Sequence, residues 1–343
     1  PWRLANIIPI IAFTIAVLTV FTVFITVRVR VVPIILIPDY SVPAKACQRG
    51  RKANQEPTVS MIKRYSRITR PRKKTGTPPT ISQSGHSIFL RNIKRKKSRT
   101  FYTCPYTAPH DPLHAWPEDI AKYEGVYDVG YEAIRNARFN RQKELGLFGP
   151  EVCLPEPSHK VWKSLSTKQK KDQIRRMQVY AAMIDRVDQN IGKLLLKIKE
   201  LNEEDDTLIM FASDNGSSAE NVNTGIGEVG TITRWASLQK DWANVSNTPF
   251  RYWKNLSHEG GIRTPFIAYW PKVIKDQGGF NRQPIHFIDV MATVQDVTGA
   301  EYPKTFKDLP VTPMQGESFL PALKEGQLPK RKKPIFFEYS SGG

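Results

Sequence analysis

The stretch TLIMFASDNG at residues 207–216 decides the fold, because it joins an apolar segment to a polar turn. Residues 207–212 have the length and apolar character of a buried strand. Asp214 and Asn215 follow it, and ligands of α/β sheets collect at the carboxyl ends of strands. A carboxylate beside an amide oxygen suits a hard cation such as Ca²⁺ or Mg²⁺. Asn-Gly after an apolar run is also typical of a hairpin turn, so the residues alone leave both interpretations open.

The segments on either side indicate that helices and strands alternate. Ser166 or Thr167 can cap a helix that runs to about Glu200 with its apolar residues on one face. Residues 265–270 form another apolar stretch of strand length, and residues 288–297 predict a helix that ends at Gly299. This alternation favours an α/β fold with a mostly parallel sheet and helices on both faces.

Two further polar clusters stand far from residue 214. His110 lies in TAPHDPL, residues 107–113, where a proline on each side keeps the segment out of a helix. Its imidazole could hold an anion or donate to a leaving oxygen. Lys254 lies on a loop before Gly260-Gly261, and its ammonium could bind a sulfate or phosphate oxygen. Taken singly, a loop histidine or lysine is more often structural or solvated.

The motifs occur in one order: TAPHDPL at 107–113, FASDNG at 211–216, HEGGIRTP at 258–265 and HFIDV at 286–290. Over residues 101–340 this ordered set resembles the sulfatases of the alkaline-phosphatase superfamily, which include the arylsulfatases. The resemblance implies a hydrolase of aryl or carbohydrate sulfates, a sulfuric ester hydrolase. It also implies that Asp214 and Asn215 bind Ca²⁺ and that His110 and Lys254 contact the sulfate as catalytic residues.

Other parts that the resemblance implies are missing from the chain. The family's nucleophile is a formylglycine made within a C/S-x-P-x-R motif, and the closest match is Cys47, with Arg49 where proline is expected. Residues 6–12 resemble the opening strand of the family, but Phe13 and Thr14 follow where two metal aspartates belong. We therefore expect an impaired enzyme. The alternatives are a membrane-tethered, non-catalytic pseudoenzyme and a phosphoryl-transferring relative of the superfamily.

Charge divides the chain into two regions. Residues 1–100 carry 20 of the 51 Lys and Arg residues but only two of the 32 acidic residues, Asp39 and Glu56. Basic runs at residues 70–74 and 94–97 could bind nucleic acid or an anionic membrane. No nucleic-acid-binding motif accompanies them, so we expect no specific nucleic-acid partner. The three cysteines have no metal-binding spacing and form no even disulfide framework.

Residues 5–27 form an uncharged span of 23 residues between Arg3 and Arg28. That length predicts a transmembrane helix, and an export signal is the competing interpretation. A third interpretation is that residues 13–99 are out-of-frame sequence, because acidic residues nearly vanish there and family-like sequence resumes near residue 101. The expected organisation is an atypical basic segment, 1–100, followed by a sulfatase-like domain, 101–343, that is truncated at its carboxy-terminal end. We expect an exported protein, periplasmic, extracellular or lysosome-like and either free or membrane-anchored, that acts on a sulfated small molecule or glycan; the sequence predicts no oligomeric state.

Overall fold

A computed structural model of the protein describes residues 20–27 and 100–338, which belong to one compact unit. Several sequence predictions lie outside the described residues: Cys47, the strand-like residues 6–12, the basic runs at 70–74 and 94–97, and the first part of the apolar span, residues 5–19.

Short strands and helices alternate along the described chain. The strands are β1 (Val20–Val27), β2 (Thr100–Pro109), β3 (Thr207–Ser213), β4 (Asn223–Gly225), β5 (Arg234–Ala236), β6 (Phe266–Tyr269), β7 (Thr305–Phe306) and β8 (Leu309–Pro310). The α-helices are α1 (Pro117–Ala121), α2 (Tyr131–Glu144), α3 (Thr167–Glu200), α4 (Lys240–Ser246), α5 (Glu259–Ile262), α6 (Ile288–Thr298) and α7 (Leu320–Glu325).

Four strands form the main sheet in the order β2-β1-β3-β6, and each described pairing is antiparallel. The expectation of a mostly parallel sheet is therefore wrong for these strands. Parallel neighbours need a crossover that is usually helical, whereas the segment between β3 and β6 contains the strand pair β4–β5 and only the short helices α4 and α5. Because β2 and β3 both run opposite to β1, they run in the same direction and end at the same edge of the sheet.

The apolar span of the sequence contributes a strand to this sheet. Residues 20–27, VFTVFITV, form β1 between β2 and β3, so the helix predicted over residues 5–27 is wrong for this part. Its β-branched and aromatic residues favour extended backbone. Within residues 20–27 and 100–338, no helix has both the length and the apolar character needed to cross a membrane.

Helices cover both faces of β3. The long helix α3 begins with a capping box, in which the Ser166 side chain and Gln169 satisfy each other's backbone N–H groups. Its apolar face packs in the same core cluster as Ile209 and Phe211. Leu208 and Met210, which alternate with them, pack in a second cluster with residues of α6 and α7. The sheet edge that carries the polar motifs is thus supported from two sides.

Candidate active site

The common edge of β2 and β3 brings two of the polar motifs together. His110 directly follows the last residue of β2, and Asp214 directly follows the last residue of β3. Both strands end here because their polar and proline-rich continuations leave the ladder. The shared strand direction therefore places an imidazole and a carboxylate at one edge of the sheet.

Lys254 reaches the same edge from the loop before α5. Its Nζ lies 3.1 Å from His110 Nε2 and 3.4 Å from a carboxylate oxygen of Glu220. Both side chains of the first pair are largely shielded, with 22% of Lys254 and 30% of His110 exposed. The ammonium can donate to Nε2 when the ring is neutral, and Nε2 is itself a donor when the ring is protonated, so both side chains place positive potential at one point. This arrangement suits an oxyanion.

The other ring nitrogen of His110 faces Asp111. His110 Nδ1 lies 2.8 Å from Asp111 Oδ1, and the Ser237 hydroxyl donates to Asp111 Oδ2 at 2.5 Å. The bond to Asp111 raises the pKa of His110, against burial and the charge of Lys254. Burial opposes ionisation of Asp111, but the bonds from His110 and Ser237 outweigh it and lower its pKa to about 2. The pair therefore favours a protonated imidazole beside an ionised carboxylate.

Asp214 and Asn215 occupy a turn that is fixed by its own hydrogen bonds. The Asn215 N–H donates to Asp214 Oδ1 at 2.9 Å, and the Asn215 side-chain amide donates to the Gly216 carbonyl at 2.8 Å. The pKa of Asp214 is raised above its ordinary value by burial, and the charges of Lys254 and His110 oppose that shift only in part. Asp214 thus lies within the electrostatic reach of both residues that could bind an anion.

Backbone contacts join this turn to the Lys254 loop. The Gly216 N–H donates to the Gly261 carbonyl at 2.9 Å, and the Lys254 N–H donates to the Ser217 carbonyl at 3.0 Å. Asn247 bridges the two segments, because it accepts from the Ser217 N–H and donates to the Tyr252 carbonyl, each at 2.9 Å. A Cβ on Gly216 would overlap the Gly260 carbonyl oxygen, so the close approach requires glycine.

The oxygen set for a calcium ion is incomplete in the described part of the chain. Asp214 and Asn215 offer one carboxylate and one amide oxygen, whereas Ca²⁺ takes roughly six to eight oxygens. Within residues 20–27 and 100–338, the group with metal-ligand spacing is His110, Asp111 and Glu220. Lys254 Nζ contacts two of these three side chains, so an ammonium already supplies positive charge there.

The sequence motifs did not reveal every residue of the site. Asp111 is part of TAPHDPL, and its position next to a histidine was a usable signal. Glu220, Ser237 and Asn247 lie outside the motifs, and no pattern in the sequence connects them with His110 or Lys254. Their contribution depends on contacts between distant segments.

Comparison with known proteins gives consistent matches to one family. A family model described as Sulfatase matches residues 80–300. An arylsulfatase of Klebsiella aerogenes is 33% identical over 238 residues, which are 65% of this chain and 51% of that protein. An uncharacterised sulfatase of Schizosaccharomyces pombe is 32% identical over 229 residues, 61% of this chain and 41% of that protein.

The chain spans about half the length of the curated relatives it matches. Among solved structures, one from Bacteroides fragilis described as a candidate sulfatase is 18% identical and covers 72% of this chain and 41% of that chain, with a TM-score of 0.42. That score is too low to support a conclusion about fold or function.

Proposed function

The chain belongs to the sulfatase family, and from that premise we propose that it binds sulfate esters at His110 and Lys254 and is an impaired sulfuric ester hydrolase. The observation that carries the proposal is the 3.1 Å contact between Lys254 Nζ and His110 Nε2 at the edge where β2 and β3 end. Lys254 Nζ also lies 3.4 Å from a carboxylate oxygen of Glu220, so a sulfate would replace Glu220 as the anionic partner of the ammonium.

In the proposed mechanism an entering sulfate separates the two side chains. Lys254 then donates to a sulfuryl oxygen, and His110 takes up a proton at Nε2 and donates it to the ester oxygen. As water forms a bond to sulfur and the bond between sulfur and that oxygen breaks, the proton moves from Nε2 to the departing oxygen and yields a neutral alcohol or phenol. The sulfuryl group leaves as hydrogen sulfate, and the other proton of the water returns to His110 or to solvent. Asp111 holds Nδ1 and stabilises the imidazolium before the transfer.

The proposed impairment follows from the missing nucleophile. The sequence contains no C/S-x-P-x-R motif from which formylglycine could be made. Groups that act as a unit in catalysis lose most of the rate when one is removed. We therefore expect sulfate-ester binding to persist in this chain while turnover is slow or absent.

We also propose that Asp214 and Asn215 are the calcium ligands of this chain. A bound calcium ion would polarise the sulfuryl oxygens. With two protein oxygens from this pair, binding of Ca²⁺ is expected to be weak. As a sulfatase-family chain it would be exported and would act on a sulfated small molecule or glycan.

The proposal is tested by replacing Lys254 with alanine and measuring sulfate affinity by calorimetry. A charge-assisted hydrogen bond contributes about 1.5–3 kcal/mol, so K254A should weaken binding of inorganic sulfate and of an aryl sulfate by about 10-fold or more. Lys272→Ala is the control, because Lys272 also pairs with a carboxylate, Asp206 at 3.0 Å, but belongs to no motif of the site. Unchanged affinity in the Lys254 variant would contradict the proposal.

Turnover assays with Ca²⁺ separate the remaining candidates. Binding of aryl sulfate without turnover favours the non-catalytic pseudoenzyme, which the missing motif makes the second candidate. Turnover of a phosphate ester alone would overturn sulfate-ester hydrolysis as the reaction. Measurable hydrolysis of the aryl sulfate would instead exclude the pseudoenzyme.

A further inference from the structure

Glu220 supplies a carboxylate at the candidate active site that takes no part in the proposed proton transfer. Its Oε1 lies 3.4 Å from Lys254 Nζ, which in turn lies 3.1 Å from His110 Nε2. Ligand atoms of His110, Asp111 and Glu220 all lie within 4.8 Å of one another. Glu220 therefore stands beside the two side chains that are proposed to bind the sulfate ester.

The contact between Glu220 and Lys254 is one that a ligand can displace. Hydrogen bonds between an ammonium and a carboxylate are typically about 2.7–2.9 Å long, so a separation of 3.4 Å indicates a weak one. The Glu220 side chain is 38% exposed, whereas Asp111, the other carboxylate of the group, is 4% exposed and accepts a hydrogen bond from Ser237. Glu220 can therefore turn toward solvent while Asp111 keeps its place.

The backbone around Glu220 is fixed, so its charge stays near the site after displacement. The Glu220 N–H donates to Ser218 Oγ at 3.2 Å. The Val222 N–H donates to Ser237 Oγ at 3.1 Å, and the Val222 carbonyl accepts from the Ser237 N–H at 2.9 Å. A glutamate side chain is short compared with the Debye length, which is about 10 Å at 0.1 M salt. The displaced carboxylate would thus still repel an anion bound at Lys254.

The repulsion from Glu220 depends on the charge of the ligand. A sulfate monoester carries one negative charge, whereas a phosphate monoester loses its second proton at about pH 6 and carries two charges at higher pH. Loss of the contact between Lys254 and Glu220 costs the same free energy for either ligand. The repulsion that follows is larger for the dianion, because the Coulomb energy scales with the product of the charges.

We propose that Glu220 is a specificity-determining residue, which shifts the selectivity of the site toward singly charged sulfate esters and away from doubly charged tetrahedral anions. The inference rests on the proposed function and adds the charge of the ligand to it. Phosphate monoesters belong to the disfavoured class. Inorganic sulfate belongs to it as well, and this dianion is the form that the hydrogen sulfate product takes in neutral solution. Glu220 would thereby disfavour phosphate esters and ease the release of product.

The test compares phenyl sulfate with phenyl phosphate, which present the same ring with one and with two charges at about pH 8. Glu220→Gln removes the charge and keeps the size of the side chain. Glu228→Gln is the matched control, at an 82% exposed carboxylate that pairs with Arg175. Calorimetry in one Tris buffer should show that Glu220→Gln strengthens phenyl phosphate binding about 2–5-fold more than phenyl sulfate binding, as expected for a partly exposed pair of charges. Glu228→Gln should change neither.

Inorganic sulfate is the second dianion of the test, and its affinity should rise in Glu220→Gln together with that of phenyl phosphate. An increase for phenyl phosphate alone would overturn selection by charge. Equal gains for all three ligands would show that Glu220 merely competes for Lys254, and unchanged or weaker binding of all three would also overturn the proposal. If Lys254→Ala leaves the affinity for phenyl sulfate unaffected, the proposed function fails instead.

Discussion

At the scale of the residue, His110 is held between two groups that act on it in opposite directions. Asp111 stabilises the imidazolium through Nδ1, and Lys254 opposes it from the side of Nε2. The pKa of His110 is raised, so the bond to Asp111 dominates. The stabilisation that the folded protein gains from protonated His110 is therefore fully present below the ordinary histidine pKa of 6.5. It is lost as pH rises through the raised pKa that His110 has in the folded protein.

Asp111→Asn should lower the pKa of His110, because it removes the negative charge beside Nδ1 while keeping the size of the side chain. NMR titration of the His110 ring measures the change. Sulfate affinity should then fall at a lower pH than in the unaltered chain, since the protonated ring is lost earlier. Asp128→Asn, an exposed carboxylate on the loop before α2, is the control. An unchanged His110 titration would show that Asp111 does not set its protonation.

Residue-level reasoning could name four site residues but not the network around them. His110, Lys254, Asp214 and Asn215 stand in motifs whose residue types suit anion and cation binding. Ser237 and Glu220 have no such context, because a serine or glutamate in a loop is compatible with many environments. Their importance arises from the folding of the β4–β5 region against the end of β2, which local sequence does not encode.

At the scale of the element, the turn after β3 and the loop before α5 are packed backbone to backbone. Gly216→Ala would place a methyl group against the Gly260 carbonyl and should separate these segments. Overpacking of this kind costs roughly 1–3 kcal/mol. Chemical denaturation should show that loss, and calorimetry should show weakened sulfate binding, since Lys254 is carried by the displaced loop.

Gly279→Ala is the matched control for that variant. A Cβ there would meet the Asp276 side chain, which can move away, rather than fixed backbone. It should leave both stability and sulfate affinity nearly unchanged. If Gly216→Ala were equally harmless, the close packing of the two segments would not be what positions Lys254.

Individual elements were predictable where local signals were strong. The helix expected from Ser166 or Thr167 to Glu200 is α3, Thr167–Glu200, because a capping box and a continuous apolar face define it. The helix expected to end at Gly299 is α6, and Gly299 has the left-handed conformation that ends a helix. The apolar residues 20–27 lacked such signals, since apolar β-branched runs are compatible with a strand or a membrane helix.

At the scale of the whole molecule, an ion pair between Arg331 and the buried Asp289 joins the segment that follows α7 to α6. Arg331 donates to both carboxylate oxygens of Asp289, at 2.7 and 2.9 Å, and the Asp289 side chain is 1% exposed. Burial alone would raise the pKa of Asp289, but the bonds from Arg331 and from two backbone N–H groups lower it.

Arg331→Ala should destabilise the protein by about 3 kcal/mol, because it leaves the Asp289 carboxylate buried without its counter-charge. Urea denaturation measures the loss, with the exposed neighbour Lys330→Ala as control. The contribution of a carboxylate with a lowered pKa is present above its ordinary value of 3.8 and disappears as pH falls. The difference between the variant and the unaltered chain should therefore shrink on acidification, and a pH-independent difference would contradict this account.

The overall sheet could be predicted only in part. Alternating helices and strands indicated an α/β protein with helices on both faces of the sheet, as found around β3. The predicted parallel direction of neighbouring strands was wrong, because the pairing of strands depends on which distant segments of the chain meet. Periodicity within β1 or β6 carries no information about the partner across the ladder.

The contact between Lys254 Nζ and His110 Nε2 couples anion binding to the acidity of the solution. Above the pKa of His110, Nε2 has no proton and accepts from the ammonium; a sulfate dianion placed between them makes that nitrogen a donor instead. Each binding event therefore consumes up to one proton, which the buffer must release. The heat of binding would then depend on the ionisation enthalpy of the buffer, so titrations in Bis-Tris and in Tris, neither of which is an oxyanion, would give different enthalpies for the same complex.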